Sequence, residues 1–187
     1  MLGYAAGHDF PVPALYDAVG PDLVLERLNG PEMQQALRPW NLARHAVILA
    51  RLHRALHAIP PMPGLEARFG EPTSFLHLDL HPRNVILTVR GPVVIDWANA
   101  ANGPAQADVA LVYVIGATSA FEGPPWRRPI EGALRRRFLD VFLRGAADPS
   151  YPAVLPAVAA WRRRDPNIRP DERERIDRLV ARVTLET

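Results

Sequence analysis

The sequence predicts an α+β fold that is mainly helical and carries two small β-hairpins. Apolar residues recur at helical spacing in several stretches, and two pairs of short apolar stretches flank tight-turn residues. A length of 187 residues with 48% hydrophobic residues is enough for one well-packed domain, or for one lobe with a small appendage. We therefore expect one main core.

The first hairpin is predicted near the N-terminus. Residues 14–16 and 23–28 form a strand, a turn and a strand around Gly20-Pro21. Asn29-Gly30-Pro31 ends this hairpin, and the proline suits the first turn of a short helix that runs to about Leu37.

A central helix is predicted from Trp40 to Ile59. Its apolar face consists of Leu42, Leu49, Leu52, Leu56 and Ile59. His53 and His57 lie four positions apart and could share a metal, but no carboxylate joins them at helical spacing. We favour a packing or surface role for both. The segment Pro60-Pro61-Met62-Pro63-Gly64 ends the helix, and a loop follows.

The second hairpin is the most useful structural prediction. Residues 85–89 and 92–95 read as short strands around the turn Arg90-Gly91. Such a hairpin would return Asp96 to the neighbourhood of Asn84. Two polar groups that are distant in sequence are thus expected to meet.

Helices are predicted for most of the remaining chain. Residues 98–104 predict a loop, and residues 123–125 predict another. The apolar run 109–115 could be a buried helix or a strand by periodicity, and Asp108 before it favours a helix because a carboxylate stabilises a helix N-terminus. Three further helices are expected at residues 130–142, between Pro152 and the arginines at 162–164, and from Pro170 onward.

Composition excludes some classes of chemistry. The chain has no cysteine, so it has no disulfide framework, thiolate zinc site or cysteine nucleophile. A net charge of +2 does not indicate nucleic-acid binding, and no run approaches the length of a membrane span. The first residues lack the features of a secretory signal, so we expect a cytoplasmic location. The arginine clusters are expected to be solvated or paired with acidic groups.

The polar residues of the segment from His77 to Asn84, followed by Asp96, suit phosphoryl transfer. A carboxylate at Asp79 could orient a hydroxyl group and take its proton, although an aspartate that caps a turn is the simpler interpretation for this residue alone. Asn84 and Asp96 add oxygen ligands of the kind that magnesium prefers.

This pattern closely resembles the catalytic and metal-binding segments of the aminoglycoside phosphotransferase and choline kinase family, which is related to the protein kinases. The family signature His-Gly-Asp-Leu-His-Pro-x-Asn is similar to residues 77–84, with Leu78 in place of glycine. The resemblance implies that Asp79 is the catalytic base and that Asn84 and Asp96 hold Mg2+.

The same resemblance implies roles for three further residues. His81 stands in the place of a protein-kinase loop lysine and would approach the transferred phosphate. His77 corresponds to a structural histidine that positions the loop. Asp108 matches an aspartate that braces the catalytic loop.

The resemblance also implies a domain organisation. Residues 1–30 are similar to the last strands and hinge of an N-terminal lobe, and residues 31–187 to a protein-kinase-like C-terminal helical lobe that contains the catalytic loop. In the hinge, Glu26 and Leu28 would contact ATP (or GTP). Most of the N-terminal lobe would be absent, as in an N-terminally truncated member, and with no lysine in the sequence the family's phosphate-binding lysine is missing.

Three functions are compatible with these residues. The first is Mg-ATP-dependent transfer of phosphate to a hydroxyl group of a small molecule. The second is a catalytically impaired or inactive truncated member that serves as a binding module or remnant. The third, suggested by the spacing His77-x-Asp79-x-His81, is a metal-dependent hydrolase. We expect no nucleic-acid or membrane partner, and a surface without its N-terminal lobe could support a homo-oligomer.

Overall fold

The computed structural model describes residues 1–20, 22–120 and 124–185. Its α-helices are α1 Leu2–Ala6, α2 Met33–Ala36, α3 Leu42–His57, α4 Gln106–Thr118, α5 Arg128–Ala146, α6 Tyr151–Arg163 and α7 Pro170–Leu185. Its strands are β1 Leu15–Val19, β2 Asp22–Leu25, β3 Ser74–Leu76, β4 Val85–Thr88, β5 Gly91–Val94 and β6 Ala101–Gly103. The predicted class, mainly helical with small β elements, is confirmed.

The strands form three separate antiparallel pairs. The β1–β2 and β4–β5 pairs are the two predicted hairpins, although β2 ends at Leu25 rather than at residue 28. The third pair joins β3 to β6 and was not predicted, because the loop expected at residues 98–104 contains β6. Only a partner distant in the sequence makes that short stretch a strand. The helix α1 was also not predicted.

The helices form two hydrophobic clusters. In the first, Leu49 and Leu56 of α3 are buried with Phe138 and Phe142 of α5. In the second, the apolar helix α4 packs against α6 and α7, with members such as Leu111 and Val158. This burial on nearly every side explains why periodicity alone did not separate helix from strand in α4.

The segment that follows the first hairpin packs closely against the second hairpin. Gly30, which follows β2, lies so near the backbone of Leu87 that a Cβ atom would stand 2.1 Å from its carbonyl oxygen. The backbone N–H of Leu87 also donates to Pro31 O at 2.9 Å. In contrast, every residue of β1 and β2 is exposed, including large apolar side chains such as Tyr16, Val19 and Leu23.

The remaining predictions concern the arginines, the loop at residues 123–125 and the length of the apolar helices. Two of the three arginines at residues 162–164 have acidic partners, since Arg162 pairs with Asp165 and Arg163 pairs with Asp177. Gly123 of the predicted loop at residues 123–125 lies outside the described residues. No helix within the described ranges combines the length and apolar character that a bilayer span requires.

Candidate active site

The loop of residues 77–84 connects β3 to β4 and ends in a 3₁₀ turn at Pro82–Asn84. Within this 77–84 loop, the side-chain amide of Asn84 donates to Asp79 twice, to the backbone oxygen at 2.9 Å and to Oδ2 at 3.0 Å. Asp79 Oδ1 is buried and has no hydrogen-bond partner among the described residues. One carboxylate oxygen is therefore held in place by Asn84, while the other keeps the capacity to accept a hydrogen bond.

His81 fixes the other side of Asp79. Its Nδ1 accepts from the backbone N–H of Arg83 at 3.2 Å, so its proton lies on Nε2. That nitrogen faces Asp79 Oδ1 at 3.4 Å, which is an ion-pair distance but longer than a good hydrogen bond. His81 thus directs a positive partial charge at the carboxylate oxygen that is otherwise without a partner.

Asp79 is ionised at neutral pH. Burial alone would raise its pKa, but the close approach and charge of His81, together with the charges of Arg162 and His77, hold the pKa of this carboxyl below its usual value. An ionised, partly buried carboxylate can accept a hydrogen bond from a hydroxyl group at neutral pH.

The β4–β5 hairpin brings Asp96 to this loop, as the sequence predicted. Val85 pairs with Val94, and the backbone N–H of Ile95 donates to the backbone oxygen of Asn84 at 3.0 Å. Asp96 follows directly, is exposed, and has a left-handed backbone with φ of 64°. The amide oxygen of Asn84 and the carboxylate of Asp96 are oxygen donors of the kind that suits magnesium.

Asp108 binds the backbone at the start of the 77–84 loop. Its carboxylate, buried in the first turn of α4, accepts from the backbone N–H of His77 at 3.0 Å and of Leu78 at 2.6 Å. His77 in turn bonds Ile95 O through Nε2 at 3.1 Å, which ties the loop to the end of β5. These contacts match the supporting positions predicted for both residues, although their roles in a reaction stay predictions.

Leu78, which replaces the glycine of the family signature, keeps the backbone conformation that glycine favours. Its φ is 54°, and its side chain is fully buried in the second hydrophobic cluster. A left-handed conformation costs a non-glycine residue about 1–2 kcal/mol. Burial of the leucine side chain and the hydrogen bond to Asp108 offset this cost.

An apolar cavity of about 420 Å³ adjoins Asp96. Its lining residues are Met1, Leu2, Gly3, Pro13, Leu15, Leu23, Leu25, Ile95, Asp96, Trp97 and Ala98. Neither Glu26 nor Leu28 is among these lining residues. Glu26 instead pairs with Arg90 and accepts from the backbone N–H of Ala14 at 3.2 Å. Their predicted contact with a nucleotide stays a prediction.

Sequence reasoning missed the part that two histidines of α3 play near this loop. His53 is fully buried and bonds Leu80 O through Nε2 at 3.0 Å, while His57 Nε2 lies 3.2 Å from Asp108 Oδ2. The sequence offered only their spacing of four. The carboxylate that joins them comes from α4, about 50 residues later, so no helical pattern could have revealed it.

The residues that suggested a metal-dependent hydrolase do not form a metal-binding group among the described residues. Among the described residues, the one group of three side chains with metal-ligating atoms in close proximity is His53, His57 and Asp108. The spacing His77-x-Asp79-x-His81 does not bring its three side chains into such a group. His77 instead points its Nε2 at a backbone oxygen.

Comparison with known proteins identifies the family. The model of the phosphotransferase enzyme family matches residues 31–154. The chain therefore belongs to this family, as the 77–84 loop indicated.

Three individual proteins are also similar. An 85-residue stretch is 32% identical to N-acetylmuramate/N-acetylglucosamine kinase of Pseudomonas aeruginosa and covers 42% of this chain but only 24% of that kinase. The structure of aminoglycoside-3'-phosphotransferase of type VIII matches with a TM-score of 0.58 and 21% identity over 97% of this chain and 77% of that one. The structure of a thermostable mutant of aminoglycoside phosphotransferase APH(4)-Ia matches with a TM-score of 0.66 and 17% identity. This match covers 96% of this chain and 81% of that one. These structural matches confirm the kinase-like fold.

The backbone strain at Leu78 can be tested with a pair of substitutions. Leu78→Ala should lower the free energy of unfolding by about 2–5 kcal/mol through the lost side chain. Leu78→Gly should be no less stable than Leu78→Ala, because glycine adopts the left-handed conformation without strain. Urea denaturation would measure both.

The matched control is Leu80, which is also buried but lies outside the left-handed region. There the glycine variant should be less stable than the alanine variant by about 0.5–1 kcal/mol. The same order at both positions would contradict the account of Leu78.

Acid should destabilise the protein through buried groups. Burial lowers the pKa of His53 to about 3, against the charge of Asp108, which raises it. For Asp108, burial raises the pKa, but the hydrogen bond and charge of His57 and the charge of His53 hold it at about 2. Both folded-state values lie below the ordinary ones. Over the range between the two pKa values of each group, the unfolded chain binds a proton that the folded protein does not. The free energy of unfolding therefore falls as the pH drops from about 6.5 to 3 because of His53, and from about 3.8 to 2 because of Asp108.

Urea denaturation at a series of pH values measures this loss. Each fully separated group contributes a slope of about 1.4 kcal/mol per pH unit. His53→Gln keeps a donor for Leu80 O but does not titrate, so its slope between pH 6.5 and 4 should be shallower than that of the wild type. An identical slope would show that His53 is not the group responsible.

Proposed function

We propose that this chain catalyses Mg-ATP-dependent transfer of phosphate to a hydroxyl group of a small molecule. The observation that carries the proposal is the state of Asp79. Its Oδ2 is fixed by Asn84, while Oδ1 is buried, ionised and without a hydrogen-bond partner among the described residues. In a phosphotransferase, such an oxygen is where an acceptor hydroxyl would bind.

Each residue of the loop has a task in this reaction. Asp79 Oδ1 orients the acceptor hydroxyl and takes its proton as the hydroxyl oxygen attacks the γ-phosphorus and the bond to the β-phosphate oxygen breaks. His81 Nε2–H, beside the same oxygen, stabilises the negative charge there. Asn84 Oδ1 and the Asp96 carboxylate would hold Mg2+, which neutralises charge on the phosphate oxygens when bound.

The cavity beside Asp96 supports a site for the nucleotide base. Its volume of about 420 Å³ lies in the range of small-molecule sites, about 300–1,000 Å³. Its lining is mostly apolar, with Leu15, Leu23 and Leu25 from the first hairpin, so it suits a flat heterocycle. With Asp96 at its border, a base in the cavity would lie next to the proposed metal ligands.

The acceptor class is inferred from the relatives. The Pseudomonas aeruginosa kinase is named for two amino sugars, and the structural matches are named for aminoglycosides. These are all molecules with several hydroxyl groups, so we propose an amino sugar or a similar polyol as acceptor. The chain aligns with only a quarter of that kinase, which is why the acceptor is a proposal.

A second candidate is a catalytically impaired member that binds without turnover. The absence of lysine from the sequence favours it, because an active member of the family uses a lysine to hold the phosphates. The first hairpin, with exposed side chains on both strands, would then be a surface for association with a second copy.

Two aspartate variants separate these candidates. Asp79→Asn should reduce kcat by about 10²–10⁴-fold with little change in affinity for Mg-ATP, because it removes the proton acceptor and keeps the shape. Asp96→Asn should remove the increase in ATP affinity that magnesium produces. Calorimetry with and without magnesium, and phosphate transfer to a panel of amino sugars, measure the two effects.

The control is Asp140→Asn, an exposed aspartate of α5 that pairs with Arg144 and should leave both properties unchanged. Mg-ATP binding by the wild type without transfer to any acceptor would favour the second candidate. Wild-type transfer by both Asp79→Asn and Asp96→Asn would refute the assignment of the site.

A further inference from the structure

His57 takes no part in the proposed reaction but contacts the carboxylate that supports the 77–84 loop. It lies at the end of α3, and its side chain is only 12% exposed. Its Nε2 is 3.2 Å from Oδ2 of Asp108, the same oxygen that accepts the backbone N–H of His77 at 3.0 Å. The other oxygen of Asp108 accepts from Leu78 at 2.6 Å. A single buried carboxylate thus joins the side chain of His57 to the backbone that precedes Asp79.

A carboxylate in this position needs a donor on its remaining side. Asp108 is 1% exposed, and an ionised carboxylate buried without enough donors would be costly to desolvate. The two backbone N–H groups come from adjacent residues of one loop, so by themselves they leave the side-chain torsions of Asp108 free to follow movements of that loop. A third donor from another element prevents this movement, because α3 is anchored in the first hydrophobic cluster.

The surroundings of His57 keep its ring in place. Ser74 Oγ donates to the backbone oxygen of His57 at 3.0 Å, which fixes the helix end against β3. The ring of His53 packs against it edge-on, with centroids 5.5 Å apart. The charged and titratable groups that face it are therefore Asp108 from α4, His53 from its own helix and, beyond the carboxylate, His77 from the loop.

We propose that His57 is a positioning residue: by donating to Asp108 it holds the backbone of His77 and Leu78, and thereby sets the placement of the Asp79 carboxylate. This inference rests on the proposed function for its consequence in catalysis. Its structural part concerns the loop alone. A small displacement of a catalytic group is enough to cost about 100-fold in rate, so the effect should be large in a phosphotransferase.

The experiment compares His57→Leu with His57→Gln. Leucine removes the donor, whereas the amide of glutamine can still donate to Asp108 from a similar position. The matched control is His45→Leu, which removes another buried histidine from the first turn of the same helix. Backbone hydrogen exchange at residues 77 and 78 is measured for each protein, together with kcat and KM for transfer.

We expect His57→Leu to speed exchange at residues 77 and 78 by about tenfold or more, because a hydrogen bond to a charged group is lost. Exchange in α5 should not change. His57→Gln should stay within about threefold of the wild type, and His45→Leu should leave the loop unaffected. In transfer assays, kcat of His57→Leu should fall by about 10–100-fold with KM for ATP nearly unchanged.

The outcomes distinguish failure of this inference from failure of the proposed function. Unchanged exchange in His57→Leu, faster exchange throughout the chain, or a glutamine variant as impaired as the leucine variant would each overturn the positioning role. Absence of transfer by the wild type would instead overturn the proposed function. In that case, the exchange measurement still decides whether His57 holds the loop.

Discussion

The carboxylate of Asp108 is the interaction on which the geometry of the candidate site depends. It is buried beneath the 77–84 loop and accepts hydrogen bonds from two consecutive backbone N–H groups, those of His77 and Leu78. These groups belong to neither a helix nor a strand, so a buried loop at this point would leave them without partners. One side chain from α4 therefore replaces the regular hydrogen bonds that the loop lacks.

Hydrophobic packing completes what this carboxylate begins. Along the stretch from β3 into the loop, Phe75 and Leu80 belong to the first hydrophobic cluster, whereas Leu76 and Leu78 belong to the second. The segment is thus wedged between the two groups of helices. Asp79 lies between the buried Leu78 and Leu80, so packing of these two neighbours fixes its backbone on both sides. The strained φ at Leu78 is stable because both effects act on the same residue.

A carboxylate positioned in this way has the properties that a phosphotransferase needs. Its two oxygens differ in their surroundings, since Asn84 occupies one and His81 faces the other without a short hydrogen bond. The hairpin that follows then delivers Asp96 to the same region through the contact of Ile95 with Asn84. Membership of the phosphotransferase enzyme family is consistent with this arrangement, and residues 31–154 contain every one of these groups. The polar groups are few: Asp79, His81 and Asn84 come from the 77–84 loop, and Asp96 follows β5.

The sequence by itself determined most of the local elements and the residue types of the candidate site. The second hairpin, the central helix and the loop between them follow from short-range patterns, and Asn84 and Asp96 meet because a tight turn fixes the register of two strands. It also predicted the family, through residue types at fixed spacing in the 77–84 loop.

Only the tertiary structure decided how that loop is supported. Strand β3 pairs with β6, and His53 and His57 meet Asp108. These contacts join residues that are 25 to 55 positions apart in the sequence. The side chains at the end of β2 show the same limit, because Leu25 lines the cavity beside Asp96 whereas its neighbour Glu26 pairs with Arg90. Which side chain faces a site depends on how whole elements pack, and packing against distant partners leaves no periodic trace in the sequence.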